Sequence, residues 1–106
     1  MPKYLIQASY TAEGTKGLLK EGGSQRRVAA QEAVKGVGGV LDAFYYAFGE
    51  TDVVAIADVP DNVSAAALSL AVSASGALNT RMTVLLTPEE IDQAARKTVG
   101  YRPPGR

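Results

Sequence analysis

The chain has 106 residues and contains neither cysteine nor histidine. Without cysteine there is no disulfide, no thiolate nucleophile and no thiolate metal site. Without histidine the commonest general base and the commonest metal ligand are missing. Ser-His-Asp triads, Cys-His dyads, ordinary zinc sites and histidine-ligated haem are therefore excluded for this chain alone. Excess charge of either sign is missing too, with eleven Lys and Arg against eleven Asp and Glu, so no summed field draws nucleic acid, anionic membrane or acidic substrates. No window approaches a membrane span, and Met1-Pro-Lys-Tyr-Leu-Ile-Gln7 lacks the charged-then-apolar pattern of a signal peptide. The chain reads as a soluble cytoplasmic protein with no nucleic-acid partner, no membrane partner and no cofactor. Any chemistry falls to Tyr, Asp, Glu, Lys, Arg, Ser, Thr, side-chain amides or backbone.

What is present is a regular alternation of strand and helix patterns. Lys3 to Tyr10 alternates Tyr4, Ile6, Ala8 and Tyr10 against Leu5, Gln7 and Ser9, a strand period. Thr11 caps a short helical segment that Gly14 and Gly17 weaken and Gly22-Gly23 ends. Ser24 is expected to cap a better helix, with Ala29, Ala33 and Val37 on one stripe beside Ala30 and Val34, stopped by Gly36, Gly38 and Gly39. Val40 to Phe48 and Asp52 to Val59 read as two strands, β-branched or aromatic and too short to prefer helix. Asp61 caps a second helix whose predicted buried stripe is Val63, Ala66, Ala67, Leu70, Ala71 and Ala74, leaving Leu68 and Val72 off it. Leu78 to Leu86 is the fourth strand. Thr87-Pro88-Glu89-Glu90 combines an N-cap, a first-turn proline and a capping-box glutamate, opening a third helix that is expected to run to Thr98 or Val99. The tail from Tyr101 to Arg106 suits neither helix nor central strand.

The turn between the two central strands decides which side chains meet. A two-residue loop of Gly49-Glu50, with glycine at the first central position of a type II′ turn, sets Ala47 opposite Asp52 and makes Tyr45 its diagonal neighbour. A three-residue loop sets Phe48 opposite Asp52 and Tyr46 at the diagonal, and turn chemistry favours the first. The order strand, helix, strand, strand, helix, strand is the α+β ferredoxin-like βαββαβ arrangement, a four-stranded antiparallel sheet, here with an extra C-terminal helix. Tyr4, Phe44, Tyr46, Val54, Ile56 and Leu85 cannot all lie under the helices, so the sheet carries apolar groups on both faces. Face-to-face pairing of two sheets covers the second face, which predicts a dimeric α/β barrel: a homodimer or higher homo-oligomer. Residues 1–99 are expected to form one domain, followed by a tail over 100–106.

The chain resembles the GYD-domain family, small bacterial proteins named for a Gly-x-Tyr-Asp motif in the central hairpin. The resemblance is carried by Thr11 and Gly14, Tyr45, Gly49-Glu50-Thr51-Asp52-Val53-Val54, Asp58, and Pro60-Asp61 with the alanine-rich helix after it. The chain departs from the pattern at the tyrosine of the name, where it has Thr51. The resemblance implies a ferredoxin-like, dimeric α/β barrel and no established activity or cofactor.

Three residues stand out as ligand contacts: Tyr45, Asp52 and Arg81. Asp52, a carboxylate entering an apolar strand, suits a general base or an anchor for a ligand's donor, or else accepts backbone hydrogen bonds beside the turn. Tyr45 suits a hydrogen bond to a ligand carbonyl, and Arg81 a clamp on a carboxylate or an ion pair with Asp42 or Asp58. Lys20, Ser24, Arg26 and Arg27 surround the Gly22-Gly23 break but make no phosphate-loop motif. Asp58 and Asp61 flank Pro60 as cap and dipole partners rather than metal ligands. Val53-Val-Ala-Ile-Ala-Asp58 lacks the basic-aromatic motif of an RNA-binding sheet. A small-molecule-binding barrel is therefore the leading functional expectation. The alternatives are a cofactor-independent isomerase or monooxygenase-like enzyme using Tyr45 and Asp52, and a structural module whose function is its own assembly.

Overall fold

The computed structural model describes residues 1–47 and 49–106. Its elements run β1 (Lys3–Tyr10), α1 (Ala12–Glu21), α2 (Gly23–Gly36), β2 (Val40–Tyr46), β3 (Val53–Asp58), α3 (Asn62–Ala74), β4 (Leu78–Leu85) and α4 (Pro88–Ala95). The strands form one antiparallel sheet in the order β2-β3-β1-β4. The expected alternation puts Tyr4 and Ala8 in the core, joined by Val53, Ala55, Ala57 and Val59 from the third strand region. α2 supplies Val34 and α3 supplies Ala65 and Leu68 to the same core, so both helices cover one face of the sheet.

The six side chains that alternation predicts to divide between two faces do so. Tyr4, Phe44 and Tyr46 lie on the helix side. Val54, Ile56 and Leu85 have the opposite parity and are half-buried on the uncovered side. That outer face carries a row of Tyr45, Val54, Gln7 and Arg81 across all four strands, followed by a row of Ala43, Ile56, Leu5 and Thr83. At one end β2 takes an extra residue, Asp42, between Leu41 opposite Ala57 and Ala43 opposite Ile56. A bulge of this kind turns its side chain outward, and here the carboxylate meets Lys3. Lys3 also pairs with Asp58 at 3.0 Å. Hydrogen bonds from the Lys3 ammonium hold the Asp42 carboxyl below its ordinary pKa, and Asp42 then Asp58 hold Lys3 above its own.

Three sequence expectations need correction. First, α3 docks through Ala65, Leu68, Ser69 and Val72, while Val63 and Leu70 from the predicted stripe are 79% and 72% exposed. The helix is apolar or small on every side, so periodicity could not select a face. The sheet selects the face carrying Leu68 and Val72, which bury more area than alanines, and it satisfies two serines: Ser69 Oγ lies 2.8 Å and Ser73 Oγ 3.3 Å from Thr80 Oγ1. Second, α2 begins at Gly23 with Gly22 as its N-cap and no side-chain cap, so Ser24 does not cap it. The break is made by backbone: Gly22 has φ 85°, its N–H closes α1 onto Leu18 O, and its carbonyl accepts from Arg26 N. Third, α4 ends at Ala95, short of Thr98, although its capping box at Thr87 and Glu90 forms as expected. Thr11 and Asp61 also cap their helices, accepting from Gly14 N and Ser64 N.

Candidate functional site

α2 lies over β2 and α3 lies over β4. Between them the inner face of the sheet is left as an apolar cleft of about 130 Å³. Its α2 wall is made of Ala29, Ala30 and Ala33, and its floor includes Ile6, Phe44 and Met82. Alanine sets the width: a larger residue at any of these α2 positions would fill the space. The polar residues in the lining are Tyr10, Arg26, Ser69 and Thr80. Ser69 and Thr80 are already hydrogen-bonded to each other. Arg26 pairs with the partly exposed Glu21 at 3.3 Å, a contact of the kind worth about 1 kcal/mol or less and readily exchanged for another anion.

Tyr10 also borders a second, more open hollow of about 400 Å³, with Tyr46, Gly23 and Asp52 on its rim. Gly23 packs closely there, since a Cβ would lie 3.0 Å from the Tyr46 ring. The Tyr46 hydroxyl donates to Gly23 O at 3.1 Å. Burial, with Tyr10 beside it, pushes the Tyr46 phenol up to about 12. At neutral pH Tyr46 is therefore a hydrogen-bond donor and not a base. Its ring meets Phe44 edge to face at 5.3 Å, which fixes the β2 end of the cleft.

The structure places the three predicted contacts outside the apolar cleft. Ala47 N donates to Asp52 O at 2.9 Å and Tyr46 pairs with Val53, so Ala47 lies opposite Asp52 as the favoured register expects. The turn type and the alternative Phe48 pairing rest on Phe48, outside the described residues. Tyr45 is the diagonal neighbour expected of Asp52, yet it points to the outer face, 69% exposed, beside Asp42 and Arg27. Asp52 Oδ2 accepts from Tyr10 N at 2.8 Å, and Asp52 N donates to Ala8 O at 2.8 Å. Asp52 thus ends the β1–β3 ladder, its carboxylate standing in for a main-chain carbonyl. Arg81 is exposed on the outer face of β4 opposite Gln7. The acids expected to pair with it, Asp42 and Asp58, are bound to Lys3 instead.

The role of Asp52 predicts a graded response. Asp52→Ala leaves the Tyr10 amide without its acceptor and is expected to lower stability by about 1.5–3 kcal/mol, whereas Asp52→Asn, which keeps an acceptor oxygen, is expected to lose less than half of that. Urea unfolding of the two variants measures the difference; equal losses would remove the hydrogen bond as the cause.

Sequence reasoning missed Tyr10, Ser69 and Thr80 and named Arg26 only in a surface cluster. A signal for Ser69 and Ser73 was available, because serines four apart beside Leu68 and Val72 mark a helix face that turns toward a partner. Among the described residues no group of three or more acids is placed to hold a metal ion, and no helix is long and apolar enough to cross a membrane. In comparison with known proteins, the family model described as the GYD domain matches residues 4–95. No curated protein and no solved structure matches the chain.

Proposed function

We propose that the chain, which belongs to the GYD-domain family, binds a small, mainly apolar molecule with one acceptor or anionic group in the cleft between α2 and α3. The observation that carries this reading is the alanine-walled cleft itself, about 130 Å³ over the sheet. An apolar cavity of about 150 Å³ accommodates a benzene-sized molecule. Arg26 and Tyr10 lie where they could receive the ligand's polar end, and Ser69 and Thr80 offer hydroxyls on the opposite wall. On this reading the ligand contacts are Tyr10, Arg26, Ser69 and Thr80 rather than Tyr45, Asp52 and Arg81. The Asp52 carboxylate is occupied by a backbone amide and the Tyr45 ring faces away from the cleft, which gives the isomerase or monooxygenase-like alternative no shared site for that pair.

The order β2-β3-β1-β4 with α2 and α3 on one face supports a ferredoxin-like reading. In it α1 and α2 together take the place of the first helix and α4 is an addition. The half-buried apolar rows on the outer face support pairing of two sheets into a dimeric α/β barrel.

Filling the cleft tests the ligand reading. Ala30→Leu is expected to raise the melting temperature of the free protein by several degrees, since burying added methylenes contributes about 0.8 kcal/mol each and about 1 kcal/mol moves the midpoint of a domain this size by roughly 4–8 °C. Benzoate and benzyl alcohol are expected to raise the melting temperature of the parent chain and not that of Ala30→Leu. Equal ligand shifts in both, or no shift from either compound in the parent, would overturn the reading.

A further inference from the structure

The C-terminal arm is the part of the chain whose surface its own fold does not use. Every residue from Leu86 to Arg102, all of α4 included, is exposed. The radius of gyration is 17.0 Å, against about 13 Å for a compact chain of this length, so the arm projects from the body. Yet α4 is a formed helix with a complete capping box. Eight residues in water are too few to sustain a helix without a packing partner, since isolated helices below about 12–15 residues are marginal.

The arm is built to be covered on one side. Leu86 and Ile91 occupy the two hydrophobic-staple positions, N′ and N4, around the Thr87 cap, and Ala94 and Ala95 continue the Ile91 face. Leu86 and Ile91 are 56% and 51% exposed. Asp92 borders that face. The same chain presents an uncovered surface of matching character: half-buried Leu5, Val54 and Ile56 on the outer face of the sheet, bordered by Arg81, which has no acidic partner among the described residues. A stable pair uses roughly 20–30 residues a side, more than one face of four short strands presents. Two twisted sheets laid face to face also leave open corners, and the arm leaves the edge strand β4 beside one of them.

We infer that α4 of each protomer is an exchanged arm, laying Ile91 against the rim of the outer sheet face of a second copy with Asp92 beside the partner's Arg81. This rests on the pairing of two copies proposed above and assigns the arm a part in it. Partner choice then depends on the arm's charge pattern as well as on the apolar face.

Sedimentation equilibrium of the full chain tests it. Ile91→Asp, Asp92→Lys and Arg81→Glu are each expected to weaken dimerisation about tenfold or more, and the double reversal Asp92→Lys with Arg81→Glu to restore it to within a few-fold of the parent. Circular dichroism is expected to show the same fold in every variant at high concentration. A parent dimer that all three single changes leave at its original affinity would overturn the arm while leaving sheet pairing intact, and so would a double reversal no tighter than the singles. A parent chain that stays monomeric at every concentration would overturn both.

Discussion

Gly14→Ala is expected to be among the most damaging single-methyl additions available in this chain. A Cβ at position 14 would lie 2.0 Å from Ala77 O and 2.9 Å from a Tyr10 ring carbon. The oxygen belongs to backbone that cannot move independently: Ala77 O accepts from Thr11 N at 2.9 Å, and Thr11 Oγ1 donates to Gly76 O at 2.8 Å. The start of α1 is thus pinned to the loop before β4, and the methyl must break that contact or push the two segments apart. Overpacking of this kind costs about 3 kcal/mol, more than 10 °C in melting temperature for a domain this size. Gly17, one turn further along the same helix, is open: nothing lies within 4 Å of the place a Cβ would take. Gly17→Ala is expected to stabilise by about 0.5–1 kcal/mol, as alanine does in a helix interior. Opposite signs from the same chemical change three residues apart are difficult to produce by any cause other than the close approach at Gly14. Thermal or denaturant unfolding of both variants measures them together.

Leu68→Ala is the second large effect. Leu68 is 7% exposed and packs with Tyr4, Val34, Ala57, Val59 and Ala65, so its truncation removes apolar burial and leaves a hole beside the existing cleft, at a cost of about 2–5 kcal/mol. Leu70, two residues on, is 72% exposed, and Leu70→Ala is expected to change stability by about 0.5 kcal/mol or less. The pair discriminates sharply between the two faces of α3. If Leu70→Ala proved the more damaging, the helix would be docked through the stripe read from periodicity, and the cleft between α2 and α3 would not exist in this form.

Much of the architecture was legible because local signals agreed. Thr11, Asp61 and Thr87 announce helix starts through side chains that reach only three residues, and all three make the expected cap. Strand alternation in β1 and β3 survives intact because one face is buried against helices and a one-residue slip would reverse every side chain. The hairpin register followed from the Gly49-Glu50 pair, and the Ala47–Asp52 hydrogen bond agrees with it. What was not legible depended on partners distant in sequence. The face of α3 was ambiguous because alanines and serines surround it, and the sheet resolves the choice by burying Leu68 and Val72 and by setting Thr80 on β4 against Ser69. The Asp52 carboxylate could be read as chemistry until the Tyr10 amide took it. The cleft is a gap between two helices that the sequence separates by two strands, and its α2 wall is made of alanines whose signal in a sequence is helix propensity alone.

The cleft between α2 and α3, and not the outer face of the sheet, is where a ligand is expected to bind. Titration of the isotope-labelled full chain with benzoate, followed by amide chemical shifts, tests this most directly. Saturable shifts are expected at Ile6, Tyr10, Ala30, Thr80 and Met82, residues that converge on one volume from distant places in the sequence, while Tyr45 and Arg81 stay put. Shifts concentrated at Tyr45 and Arg81, or no saturable shift anywhere, would contradict it.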